Sequence, residues 1–134
     1  AAYLAADCDG DGVTNGDELT PPDGEAPTNP NDPCDFVSAD VTLALGAAYL
    51  AADCDGDGVT NGDELTPPDG EAPTNPNDPC DFVSADVTLA LGAAYLAADC
   101  DGDGVTNGDE LTPPDGEAPT NPNDPCDFVS ADVT

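Results

Sequence analysis

The sequence predicts a fold that is mainly β plus irregular, built from small tandem repeats with one strand per repeat that assemble into an extended fibre. Three observations predict it. The unit AAYLAADCDGDGVTNGDELTPPDGEAPTNPNDPCDFVSADVTLALG begins at Ala1, recurs unchanged at Ala47 and starts again at Ala93, running to Thr134 without its last four residues, so the period is 46 residues. Large apolar side chains are scarce: Phe and Tyr number three each, Trp and Met are absent, and 15 Pro and 14 Gly favour turns, which together exclude one sizeable core in 134 residues. Each complete unit also holds a single stretch of period-two alternation, in which Val37, Ala39, Val41, Leu43 and Leu45 interleave with Ser38, Asp40, Thr42 and Ala44, the pattern of a half-buried strand.

The repeats are read as 1–46, 47–92 and 93–134, and the elements follow in the same order in each. Ala1 to Ala6 is a short Ala-rich run with Tyr3 and Leu4 that suits a helical turn. Residues 7–18 form an Asp- and Gly-rich loop, and 20–35 a return segment in which Pro21, Pro22, Pro27, Pro30 and Pro33 forbid a long helix. The strand at 37–45 has no partner within its own unit, so it must pair with strands of neighbouring repeats or neighbouring chains. No repeat is altered into a cap, and soluble repeat arrays usually need one. The expectation is a filament, either as a longer array or by neighbouring chains meeting end to end; the alternative is a monomeric three-repeat fragment.

Charge narrows the function further. Thirty Asp and Glu face no Lys, Arg or His, a formal charge of -30. Nucleic acid is excluded as a direct partner, because phosphate binding needs basic side chains, and an anionic membrane surface is disfavoured for the same reason. No apolar run is long enough to span a bilayer. The neutralising cations must come from solution, so folding and ion binding are expected to be coupled. No His or Lys base is present and each unit holds one Ser, on the strand, so the chain is read as having no enzymatic activity.

The most specific chemistry lies in DCDGDGVTNGDE, which fits the twelve-position loop of an EF-hand. Asp7, Asp9 and Asp11 stand at positions 1, 3 and 5, Gly12 at the sharp turn, Val13 at the carbonyl position, Asn15 at position 9 and Glu18 at position 12, with Asp17 a competitor for the last. The second copy supplies Asp53, Asp55, Asp57, Val59, Asn61 and Glu64, and the third Asp99, Asp101, Asp103, Val105, Asn107 and Glu110. Hard oxygen donors spaced two apart favour Ca2+ over Zn2+, which prefers Cys and His. An acidic linker that buffers ions or nucleates mineral without folding is the alternative reading of the same acids. Thr14 at position 8 and Pro21-Pro22 just after the loop depart from a paired helix-loop-helix.

With these motifs the chain resembles calcium-binding repeats of the thrombospondin type 3 and dockerin kind, and most closely the DCDGDGVTNGDE…DPCDF repeats in secreted surface proteins of Bacteroidota-like bacteria. The resemblance covers essentially the whole unit. It implies an extracellular, secreted or cell-surface stalk stabilised by Ca2+, and it implies no enzyme. In such repeats a downstream Asn/Asp-Pro segment folds back near the ion, which would add Asp32, and with it Asp78 and Asp124, to the ligands; a solvated turn residue is the alternative for each.

The six cysteines alternate at spacings of 26 and 20 residues and are expected to form disulfides in an oxidising compartment. The favoured pairing lies within repeats, Cys8–Cys34, Cys54–Cys80 and Cys100–Cys126. The rival joins Cys34 to Cys54 and Cys80 to Cys100 and leaves Cys8 and Cys126 for bonds between chains. Thr20 and Thr28 lie in a Pro-rich stretch suited to O-linked glycan, with ordinary turn hydroxyls as the alternative. The leading expectation is a structural fibre formed by self-association. The second is a Ca2+-dependent adhesin or dockerin-like module that would present Leu19 and Phe36 to a protein or glycan.

Overall fold

The computed structural model describes residues 1–134. Five helices of five residues each punctuate an otherwise irregular chain: α1 (Asn15–Leu19), α2 (Ala47–Ala51), α3 (Asn61–Leu65), α4 (Ala93–Ala97) and α5 (Asn107–Leu111), with 3-10 turns at Ser38–Asp40 and Ser84–Asp86. There is no strand and no sheet, which corrects the mainly β expectation.

Local chemistry explains both the helices and their brevity. The α1 sequence NGDEL follows Thr14, whose extended backbone and hydroxyl make it an N-cap accepting from the Asp17 N–H, with Asp17 and Glu18 in the first turn where acids are favoured. Thr20 ends the helix, and Pro21-Pro22 prevents its renewal. The same cap opens α3 at Thr60 and α5 at Thr106. The AAYLA segments form α2 and α4 where Gly46 or Gly92 supplies the carbonyl that accepts from the N–H of Leu50 or Leu96. At residues 2–5 the same sequence makes only turns, as no counterpart of Gly46 precedes Ala1 within the 134 residues.

The predicted strand at 37–45 is instead a tie laid across the acidic loop of its own repeat. The N–H groups of Thr42 and Leu43 both donate to the single carbonyl of Gly12, each at 2.9 Å, and that of Gly46 donates to Gly10 at 2.7 Å. A ladder needs a row of acceptors, whereas here one glycine carbonyl takes two donors and the chain moves on. Alternation also fails in the side chains: the Val41 and Leu45 side chains lie against Gly12, while Leu43 is 43% exposed. A period-two strand would place all three on one face. Glycine is required in the loop, because Gly12 has φ +91° and an added Cβ would lie 2.8 Å from Val41 Cγ1.

Packing is repeat by repeat. The apolar residues that are fully enclosed are Val13, Val59 and Val105, one inside each acidic loop, and Tyr49 and Tyr95, at the start of the second and third repeats. Helix α2 packs on α3 and α4 on α5. Phe36 meets Tyr49 edge-on at 5.7 Å, and Phe82 meets Tyr95 in the same way, so each aromatic pair spans two consecutive repeats.

The disulfides span the same junctions. Cys34 bonds to Cys54 and Cys80 to Cys100, while Cys8 and Cys126 are free and exposed. The pairing favoured from sequence, within repeats, is therefore corrected to the rival pairing between them. The cause lies in Asn15 and its counterparts, which fasten Cys8, Cys54 and Cys100 to the loop of their own repeat. The return segment, meanwhile, presents Cys34 and Cys80 to the following unit.

Candidate metal centre

In each repeat the loop backbone is shaped by its own carboxylates. Asp7 Oδ1 accepts from the Gly10 N–H at 2.6 Å and Oδ2 from the Gly12 N–H at 3.0 Å, so one side chain braces both sharp turns. Asp9 Oδ1 accepts from the Asp11 N–H and Asp11 Oδ1 from the Val13 N–H. The bonds recur at Asp53, Asp55 and Asp57 and at Asp99, Asp101 and Asp103. Oxygens of Asp7, Asp9 and Asp11 thereby lie within 4.8 Å of one another, as do those of the corresponding trios in the other repeats.

Glu18, from α1, closes the group. Thr28 holds it in place, its N–H donating to the Glu18 carbonyl at 3.0 Å and its hydroxyl to Oε1 at 3.3 Å. Thr74 and Thr120 do the same for Glu64 and Glu110. What remains is a set of orphaned oxygens: Asp9 Oδ2, Asp11 Oδ2 and Glu18 Oε2 are buried with no hydrogen-bond partner, and their counterparts in both other repeats match them. Buried carboxylates without a donor are costly, and one cation can satisfy several at a single point.

The electrostatics agree. Burial, followed by the neighbouring Asp9 and Asp11 charges, pushes Glu18 up to about 7. Burial, set against a hydrogen bond from the Val13 N–H, leaves Asp11 at about 6, and Asp9 is likewise raised by burial. In the second repeat Asp55 is raised, Asp57 lies at about 6 and Glu64 at about 8, each chiefly from burial. Asp101 and Glu110 are raised in the third repeat, again from burial first. Such a cluster of acids resists ionisation unless positive charge is supplied. The acidic trios, with Glu18, Glu64 and Glu110 beside them, thus form a donor set of oxygens that could hold a metal ion, and no backbone N–H donates to the Val13, Val59 or Val105 carbonyls, which leaves them open as further donors.

Two groups of predicted ligands carry hydrogen bonds of their own. Asn15 is fully buried, yet its Oδ1 accepts from the Cys8 N–H while its Nδ2 donates to the Tyr3 carbonyl at 2.8 Å and to Cys8 Sγ. Asn61 and Asn107 carry the same three bonds, so these side chains fasten the helical segment to the loop. Asp32, Asp78 and Asp124 are exposed turn residues whose Oδ1 accepts from the N–H of Cys34, Cys80 and Cys126. Asp17 is taken up by Thr14, whose hydroxyl donates to Asp17 Oδ2. Thr28 and its counterparts, half-buried with their hydroxyls engaged by Glu18, Glu64 and Glu110, are supporting residues that sequence reasoning missed.

The first two loops are better enclosed than the third. Asp55 and Asp57 are buried, whereas Asp101 and Asp103 are partly exposed, because Gly56 touches Gly92 while Gly102 has no such neighbour. No protein-family model, curated protein or solved structure matches the chain.

Proposed function

We propose that the protein is an extracellular structural repeat protein in which Ca2+ orders each acidic loop, disulfides join one repeat to the next, and the array serves as a fibre or surface stalk. The observation that carries this reading is the triplet of buried, unpartnered carboxylate oxygens that recurs in every loop. Ca2+ suits them because every donor is a hard oxygen, the carboxylates outnumber the charge of one divalent ion, and larger cations accept irregular, high coordination. When bound, the ion would supply charge neutralisation and hold Asp7, Asp9, Asp11 and Glu18 around Val13, and so fix α1 against the loop. Two disulfides and the lack of any helix long and apolar enough to cross a membrane support placement in an oxidising, extracellular setting.

Repeats in this scheme are linked by the aromatic pairs and the disulfides, with no sheet involved. Negative-stain electron microscopy of the purified chain with Ca2+, then with excess EDTA, tests it. Ordered linear particles that lose their definition in EDTA are expected; particles unchanged after complete Ca2+ removal contradict the reading.

A further inference from the structure

Each acidic loop carries one Asn-Gly pair: Asn15-Gly16, Asn61-Gly62 and Asn107-Gly108. Two independent constraints create it. Asparagine is needed because its amide donates and accepts at once. Asn61 is fully buried, its Oδ1 accepting from the Cys54 N–H at 3.1 Å and its Nδ2 donating to the Tyr49 carbonyl at 2.9 Å and to Cys54 Sγ at 3.1 Å. Glycine is needed beside it because a Cβ on Gly62 would lie 2.9 Å from the Leu50 carbonyl oxygen, and one on Gly108 2.8 Å from that of Leu96. The same adjacency is chemically labile, since a glycine nitrogen reaches the preceding side-chain carbonyl with no Cβ in the way. The other asparagines lack that feature: Asn29 precedes Pro30, which has no N–H, and Asn31 precedes Asp32, whose side chain crowds its nitrogen.

We infer that the Asn-Gly pair of each loop is a self-modification site, inert while the loop is folded around its cation and released to deamidation when the loop empties. In the first step the Gly62 nitrogen gives up its proton and bonds to Asn61 Cγ; the Cγ–Nδ2 bond breaks, and ammonia leaves with that proton as a succinimide closes. Water then opens the ring at either carbonyl, leaving aspartate or isoaspartate at position 61. Folding blocks the first step, because the amide is pinned by three hydrogen bonds out of contact with water. In the first repeat the attacking nitrogen is engaged as well, the Gly16 N–H donating to the Leu4 carbonyl at 2.9 Å.

Neither product restores the loop. A carboxylate at position 61 has no proton for the Tyr49 carbonyl or Cys54 Sγ and sets a further charge in a fully enclosed place. Isoaspartate also adds a methylene to the backbone at the first residue of α3, the helix that carries Glu64 to the acidic group. Loss of Ca2+ is thereby recorded in the covalent chain, repeat by repeat. The inference rests on the Ca2+-stabilised scaffold reading, which supplies the opening event.

The test holds the 134-residue chain at neutral pH in saturating Ca2+ or in excess chelator and follows released ammonia, intact mass, peptide maps and the amide spectrum. The chain has no Gln, so ammonia reports asparagine alone. Release at least about tenfold faster in chelator is expected, mapped to positions 15, 61 and 107, because the rate follows the open population. Gly62→Ala should slow the reaction at position 61 in chelator by about tenfold, through the Cβ placed beside the attacking nitrogen. Asn61→Asp, the simpler product made directly, should lower the melting temperature in saturating Ca2+ by about 5 °C or more. Equal rates in Ca2+ and chelator, products mapped to other positions, an unchanged rate for Gly62→Ala or an unchanged melting temperature for Asn61→Asp would each overturn it. A chain that disorders in chelator yet keeps its amides defeats this site alone; a chain whose amide spectrum is indifferent to chelator defeats the scaffold reading and this site with it.

Discussion

Residues within a single loop divide into those that face a common centre and those that hold them there. Glu64 belongs to the first kind, since Oε2 is buried and unpaired while Thr74 fixes Oε1 at 3.1 Å. Glu64→Gln should weaken Ca2+ binding at the second loop by at least about tenfold in isothermal titration, through loss of one charge at a buried donor. Asp78→Asn, in the exposed turn, should leave all affinities within about twofold. Asn61 belongs to the second kind, and Asn61→Ala should cost about 2 kcal/mol of folding stability in chemical denaturation, because it leaves the part-buried Cys54 N–H without its acceptor and the Tyr49 carbonyl with the Ala52 N–H alone. The gathering of Asp7, Asp9 and Asp11, with Glu18 nearby, was legible because carboxylates spaced two apart about a glycine turn converge. The hydrogen bonds of Asn15 were not legible, because an amide can as well satisfy backbone as bind an ion, and spacing does not distinguish the two. The role of Thr28 was hidden by the distance of ten residues separating it from Glu18, a contact made only once the return segment folds back.

At the level of elements, the loop dominates and the helices serve it. The short α1, α3 and α5 were obscured in the sequence, although Thr14 as an N-cap and Pro21-Pro22 as a stop are plain once the loop position is known. The segment 37–45 misled because Val, Leu and Thr in alternation satisfy a strand pattern, while the two successive N–H groups of Thr42 and Leu43 turn to one glycine carbonyl, a choice set by the shape of the loop beneath. That tie makes Gly58→Ala a sharp probe: φ is +92° and the new Cβ would lie 2.8 Å from Val87 Cγ1, so a loss of about 2 kcal/mol or more is expected in thermal unfolding. Gly70→Ala, at φ +77° in open space, should cost only about 1 kcal/mol. Loop acidity gives a further outcome. Asp57 at about 6 and Glu64 at about 8 are raised above their ordinary values, so the metal-free fold takes up protons and its stability falls as pH rises from about 4 to about 8. Ca2+ needs the ionised acids, so its affinity rises over the same range. The apparent Kd for Ca2+ in isothermal titration should therefore fall steadily from pH 5 to pH 8, and a constant Kd would contradict the assignment.

Taken as a whole molecule, the chain is a succession of small ordered centres with little apolar material between them. The repeat and its period were readable from the sequence, because the recurrence is exact. The linkage between repeats was not, because 20- and 26-residue cysteine spacings allow either pairing and only the folded return segment selects Cys34 with Cys54. The central claim, that divalent ions create the order, is tested most directly by the amide 1H–15N spectrum of the uniformly labelled chain during Ca2+ titration after exhaustive chelation. Collapsed resonances in chelator should give way to dispersed ones as about three ions bind per chain, one for each acidic loop. A spectrum equally dispersed in excess chelator would contradict the account.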